Sequence, residues 1–266
     1  MVRVAGAVVA VTGASAGIGR ETALAFAREG ARLAVCARRA ERLEALAEAV
    51  AALGGEALVR EVDVAEERAV TRFVEDTVAR FGRLDVLVNN AGYGVRGRVE
   101  ETPPQDFEQL MKVNYLGTVY ACRAAVPIMR RQGSGVIVNV SSIVGHRAMP
   151  GGGAYAATKA AQISLTEALR AELRGTGVHA CSVHPIGTAT EFADVAARAS
   201  GGRGGGPVGP QQSASDVARA IVGCARRPRP EVYPYPLSRA VVWLNAFAPG
   251  LGDVLWSRAA RKAGRV

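Results

Sequence analysis

Lysine is nearly missing from this basic chain: of 33 lysine and arginine residues, only Lys112, Lys159 and Lys262 are lysine. Other scarcities bound the function. Cys36, Cys122, Cys181 and Cys224 are widely spaced with no CxxC pair, and His146, His179 and His184 show no metal-ligand spacing. This excludes a zinc-ribbon or a disulfide scaffold; no metal is expected, and Cys36 and Cys181, in apolar runs, read as buried thiols in a reducing compartment. Aromatic residues make up 5% of the chain and no basic run is interleaved with them, so the net charge of +9 and pI near 9.9 do not describe a nucleic-acid surface. The arginines are scattered through helical segments, as a general compositional bias would place them. The chain enters a strand within a few residues, leaving no room for a secretion signal, so we expect a cytoplasmic protein.

What is present is a regular alternation. Short Val/Ala/Leu runs at 7–12, 32–36, 57–62, 86–89, 136–141 and 179–183 predict strands. Longer amphipathic segments at 17–29, 41–53, 66–81, 105–131 and 154–174 predict helices between them. Strands apolar throughout and joined by helices form a parallel sheet covered on both faces. With a further helix at 214–226 and a short last strand at 231–235, the fold is α/β: a doubly wound, Rossmann-type parallel sheet of about seven strands. We expect one catalytic domain at 1–236, with a mobile glycine-rich lid at about 190–215, and a helical tail at 237–266.

The first strand runs into Gly13-Ala-Ser15-Ala16-Gly17-Ile18-Gly19 and then a helix. Glycines there let a backbone approach a pyrophosphate, and the helix N-terminus supplies free N–H groups and a partial positive charge. The second strand ends Ala37-Arg38-Arg39, without the carboxylate that would bond a ribose 2′-hydroxyl. An arginine beside that position can take a 2′-phosphate as a charge-assisted fork, so the expected cofactor is NADP(H). Asp63 and Val64, closing the third strand, are placed to meet the adenine. Tyr155 and Lys159 stand four residues apart, hence on one face of a helix. A phenol has a pKa of about 10, and bringing it to neutrality costs roughly 4 kcal/mol, much of which a neighbouring cation can supply.

In this order, residues 12–19, Asn89-Asn90-Ala91-Gly92, Asn114, Ser141-Ser142, Tyr155-xxx-Lys159 and the turn from Pro185 to Thr190 resemble the short-chain dehydrogenase/reductase family, in its single-domain, NADP-preferring branch. The resemblance covers about residues 5–226. It implies that Asn90 lies along the cofactor and that the turn from Asn89 through Ala91 to Gly92 braces the central sheet. It makes Tyr155 the general acid/base, Ser142 the hydrogen-bond partner of the substrate oxygen, and Lys159 the group that lowers the tyrosine pKa and holds the nicotinamide ribose. Ser142 is preferred to Ser141 on its spacing from Tyr155 and on strand alternation. Asn114 would anchor a water leading protons from Lys159 to solvent. The turn would bind the cofactor through Pro185, with Thr188 and Thr190 as candidates for the nicotinamide carboxamide and Ile186 standing where the family usually has glycine. The implied reaction is hydride transfer between NADP(H) and a ketone, aldehyde or alcohol, in a homodimer or homotetramer.

The tail sharpens the substrate class. Trp243, Phe247, Leu251, Leu255 and Trp256 form an apolar stretch broken by Pro249-Gly250, with Arg239, Arg258, Arg261, Lys262 and Arg265 around it. It can wall the substrate cleft, pack between subunits or touch a membrane surface peripherally through 238–266. The first and last of these favour a lipophilic substrate. Alternative functions are a 3-oxoacyl-thioester reductase, a scaffold that senses NADP without turnover, and a lipid carrier.

Overall fold

The structure, a computed structural model, describes residues 3–203, 208–262 and 264. Gly204, Gly205 and Gly206 of the expected lid, and Arg265 of the tail, lie outside the described residues.

Seven strands form one parallel sheet: β1 (Val8–Thr12), β2 (Arg32–Ala37), β3 (Ala57–Glu61), β4 (Val86–Asn89), β5 (Gly135–Val140), β6 (Val178–Val183) and β9 (Glu231–Val232), in the order β3-β2-β1-β4-β5-β6-β9. Side-chain alternation divides each strand between two cores. Val9 and Val11 of β1 pack with Phe26, Leu43 and Ile221, whereas Val8 and Ala10 pack with Phe73, Met129 and Leu169. The first layer belongs to α1 (Gly17–Ala27), α2 (Ala40–Ala52) and α8 (Ala214–Arg226). The second belongs to α3 (Glu67–Phe81), α5 (Gly117–Gln132) and α6 (Gly153–Glu172). Because β1 lies between β2 and β4, the order in which strands are added reverses at the β1–β4 crevice, where ligands of open α/β sheets bind.

Three departures from the sequence reading all bear on the site. The helix expected at 105–131 is α4 (Pro104–Leu110), a wide π-helical turn (Met111–Leu116) and then α5, so Asn114 falls in the irregular turn. The lid at 190–215 begins with α7 (Phe192–Ala199), ahead of its glycine-rich segment. Its base is clipped by a small parallel pair, β7 (Gly187–Ala189) with β8 (Gln211–Ser213). Ser200 is buried there and accepts from the Arg96 N–H at 2.7 Å, which ties the lid's base to the loop after β4. The tail forms two helices, α9 (Ser238–Phe247) and α10 (Pro249–Lys262), parted at Ala248 as Pro249 requires.

Candidate active site

A cavity of about 570 Å³ opens along the C-terminal ends of β1, β2, β4, β5 and β6. Of the catalytic and cofactor-binding residues expected from the sequence, all except Gly19 and Asn114 line it. Those two lie just behind the wall and shape it.

At one end is the glycine turn. Gly13 has φ +67°, and a Cβ there would stand 2.7 Å from Ala91 Cα. A Cβ on Gly19 would collide with the Gly13 carbonyl oxygen and stand 2.5 Å from Asn90 Nδ2. The turn is therefore a close-packed cradle with no room for a side chain at Gly13 or Gly19. Asn90 holds it shut from outside, its amide donating to the carbonyls of Thr12 (3.1 Å) and Gly13 (3.2 Å). The Thr12 hydroxyl, to which the sequence assigned no role, accepts from both the Asn90 and Ala91 N–H groups at 3.1 Å. Below it, paired Asn89 and Asn139 bond across β4 and β5 at 2.8 Å, bracing the sheet.

Past the turn, at the end of β2, Arg39 donates to the Ser15 hydroxyl at 2.9 Å and pairs with Glu191 at 2.5 Å; Arg42 meets the same carboxylate at 2.6 Å. Both guanidiniums hold the Glu191 carboxyl below its ordinary pKa. Glu191 comes from the lid, 149 residues from Arg42, and no local signal announced it. Arg38 is exposed at the cavity edge and, among the described residues, forms no ion pair. Asp63 caps its own turn, accepting from the Ala65 N–H at 3.0 Å.

At the other end stand Ser142, Tyr155 and Lys159. Ser141 is buried, donating to the Lys159 carbonyl at 2.9 Å, while half-buried Ser142 donates to the Pro185 carbonyl at 3.3 Å. The Pro185 carbonyl also accepts from the Ile143 N–H at 3.0 Å, so the turn bearing Ile186 stays joined to the loop after β5. Burial pushes the Tyr155 phenol above its ordinary pKa, and only the Ser142 hydroxyl draws it down. The Lys159 amine lies beside the tyrosine ring and makes its hydrogen bonds away from it. It donates to Val140 O at 2.9 Å and Gln162 Oε1 at 2.8 Å, with Nζ 5.6 Å from the tyrosine ring centre. Burial brings the amine itself down to about 7.

Asn114 is fully buried, its amide bonding both backbone groups of Tyr93 and the Thr158 hydroxyl. Its carbonyl, in the widened turn, takes the Thr118 hydroxyl at 3.0 Å and Gln162 Nε2 at 2.8 Å. Gln162 joins Asn114 to Lys159, accepting from Nζ at 2.8 Å and donating to the Asn114 carbonyl. Helical spacing could have shown this residue, since 162 is i+3 from 159. Phe192 of α7 packs against Tyr155 at 5.5 Å between ring centres. Met149, Leu237, Val241 and Trp256 complete an apolar wall.

His146 and His184 lie outside this lining. Their rings stand 4.5 Å apart and pack on Tyr233, whose hydroxyl bonds His146 at 3.2 Å and Glu231 at 2.8 Å. Burial, with His146 alongside, lowers the His184 pKa to about 3. The donor atoms of His146, His184 and Glu231 come within 4.8 Å of one another, and the Tyr233 hydroxyl stands between two of them.

A glycine turn at the β1–β4 crevice, with Ser142 after β5 and Tyr155 and Lys159 on α6, defines a dinucleotide-binding oxidoreductase. The family model for short chain dehydrogenases matches residues 7–200, and the chain belongs to that family. It is 34% identical to dehydrogenase/reductase SDR family member 7B of Bos taurus, over 96% of this chain and 82% of that protein. An uncharacterized oxidoreductase of Thermotoga maritima is 40% identical over 70% of this chain and 73% of its own. Among solved structures, a short chain dehydrogenase/reductase from Burkholderia phymatum in complex with NAD superposes with a TM-score of 0.86 at 28% identity, covering 95% of this chain and 97% of that one. An alcohol dehydrogenase from the archaeon Thermococcus sibiricus, complexed with 5-hydroxy-NADP, gives 0.75 at 30% identity, covering 85% and 95%.

Proposed function

We propose that the chain is an NADPH-dependent oxidoreductase interconverting a carbonyl and an alcohol on a largely apolar substrate. The observation that carries this reading is one cavity holding the glycine cradle at one end and Ser142 and Tyr155 under an apolar wall at the other. The cradle fits a dinucleotide pyrophosphate because Gly13, Gly17 and Ile18 bring backbone to the cavity wall at the N-terminus of α1, which has no side-chain cap. At the end of β2, Ala37 brings no charge against a 2′-phosphate, while Arg38, Arg39 and the Ser15 hydroxyl offer donors to one. The two similar solved structures carry one cofactor of each kind, so the preference for NADP(H) rests on these residues.

A bound reduced nicotinamide supplies hydride to the carbonyl carbon. The chain's residues do the rest. Ser142 donates a hydrogen bond to the substrate oxygen, and Tyr155 gives that oxygen its proton. Lys159, held beside the phenol by Val140 and Gln162, offsets negative charge left on the tyrosine. Phe192 and Trp256 exclude water from the reacting carbon. In the reverse direction the tyrosine takes the alcohol proton. We further read a homodimer or homotetramer formed through α5 and α6.

The test is a panel of ketones, aldehydes and an acetoacetyl thioester, followed by cofactor absorbance with NADPH and with NADH. We expect turnover of lipophilic carbonyls and a preference for NADPH of about ten- to a hundredfold, the worth of one or two charge-assisted contacts. Tyr155→Phe should lower kcat by about 10²- to 10⁴-fold while NADPH fluorescence still reports binding. Wild-type rates in that variant would sink the reading. Turnover of the thioester alone would make the chain a 3-oxoacyl-thioester reductase.

A further inference from the structure

Each helix of the tail has two faces of opposite use. Inward, Val241 and Trp256 line the cavity, and Ser238, Gly252 and Ala260 are buried. Outward, Trp243, Leu244 and Phe247 of α9 and Leu251, Val254 and Leu255 of α10 are exposed, Phe247 at 87%. These follow i, i+1, i+4 and i, i+3, i+4 spacings, so each set makes one stripe, and the stripes meet at the Ala248 turn. Monomeric soluble proteins rarely leave so much contiguous apolar surface uncovered.

Charge is distributed just as unevenly. Arg239 lies at the start of α9, and Arg258, Arg261 and Lys262 at the end of α10, all exposed and all away from the turn. The single carboxylate between 237 and 262, Asp253, is paired with Arg147. The Arg239 guanidinium lies 5.4 Å from the Trp243 ring centre, an arrangement suited to the boundary between acyl chains and headgroups. The hairpin is thus an apolar tip with a basic collar.

We infer that α9 and α10 form a wedge that docks the mouth of the cavity on an anionic phospholipid surface. No helix among the described residues is long and apolar enough to cross a membrane, so the wedge enters one leaflet only. The collar then meets lipid phosphates while the tip meets acyl chains. A second copy seated isologously on the same patch would bring two cationic collars into one interface without carboxylates to pair them. The inference depends on neither the cofactor nor the reaction. Its consequence is that Leu237, Val241 and Trp256 of the cavity wall open toward lipid, giving a bilayer-dissolved substrate a dry route in.

The chain has two tryptophans, so Trp256→Phe leaves Trp243 as the sole reporter. The full-length chain, wild type and W256F, is mixed with phosphatidylcholine vesicles with and without phosphatidylglycerol, then sedimented and read by fluorescence. We expect at least about tenfold tighter binding to the anionic vesicles, weakened by salt, with Trp243 emission moving to the blue on binding. The double variant Phe247→Ser/Leu251→Ser should lose vesicle binding yet keep its circular dichroism and its NADPH affinity. Arg258→Ser/Lys262→Ser should lose only the preference for anionic lipid. No co-sedimentation and an unmoved emission would overturn the inference. So would a vesicle-inert dimer that Phe247→Ser/Leu251→Ser splits in sedimentation equilibrium, which would make the patch a contact between copies.

Discussion

Lys159 reaches two acceptors, the Val140 carbonyl and Gln162 Oε1, and both are neutral. Burial alone brings its amine to about 7, close to the pH at which the site has to work. The partner that can change most easily is Gln162, which also donates to the Asn114 carbonyl and to the Thr118 hydroxyl at 2.7 Å. Gln162→Leu removes an acceptor from the ammonium, so the amine should lose its proton at lower pH. Gln162→Glu supplies a carboxylate and should hold the proton to higher pH. The pH profiles of kcat/KM for the two variants should therefore move in opposite directions from wild type. If Gln162 only packs the interior, both would lose activity with the profile unmoved. Tyr155, Lys159 and Ser142 were legible in the sequence because their spacing on known elements is local. The orientation of the Lys159 amine was not, since it depends on a carbonyl of β5 and an amide of α6.

Among elements, the lid and the end of β2 are joined through Glu191, whose carboxylate lies between Arg39 and Arg42. A 2′-phosphate seated on Arg39 and Ser15 would compete with that carboxylate for the same donors. Glu191→Gln should then raise NADP+ affinity by roughly three- to tenfold, the scale of a part-exposed ion pair, and leave NAD+ affinity unchanged. Titration calorimetry checks this, and an equal gain for both dinucleotides would refute the competition. The glycine turn gives a second comparison. Gly19→Ala drives a Cβ against the Gly13 carbonyl, which is backbone and cannot swing away. It should cost about 2 kcal/mol or more in denaturant unfolding and abolish dinucleotide binding. Gly223→Ala, in α8, meets nothing within 4 Å and should stabilise the chain by about 0.5–1 kcal/mol. That the lid holds a helix was recoverable from the spacing of Phe192, Val195, Ala196 and Ala199. The β7–β8 clip was not, because a three-residue strand carries too little periodicity to be seen.

For the molecule as a whole, the buried amine sets a pH dependence of folding. Lys159 has an ordinary pKa of 10.5 and a folded value of about 7, so between these limits the unfolded chain binds a proton that the folded chain does not. By linkage its contribution to stability rises with pH through that window, and below about 7 the cost of charging the buried amine is fully present. Subtracting the unfolding free energies of Lys159→Met from those of wild type, measured by denaturant at a series of pH values, should give a difference that climbs from neutral pH toward 10. A flat difference would mean the amine is solvated in the native chain. The tail's orientation is likewise a property of the whole molecule. Its composition gives an apolar and basic segment, but only its packing on the body shows that Val241 and Trp256 face the cavity while Trp243 and Phe247 face outward.

The amino-acid sequence by itself determined the doubly wound sheet, the glycine turn, the absence of an acid at the end of β2 and the tyrosine–lysine spacing. Each follows from periodicity, or from residue types a few positions apart, where the local backbone dictates geometry. Tertiary structure decided that Glu191 lies on Arg39, that Gln162 joins Asn114 to Lys159, that Phe192 covers Tyr155 and that the tail turns one face inward and one outward. Those contacts join residues on separate elements, and their geometry is settled only when the elements bury their apolar faces against one another.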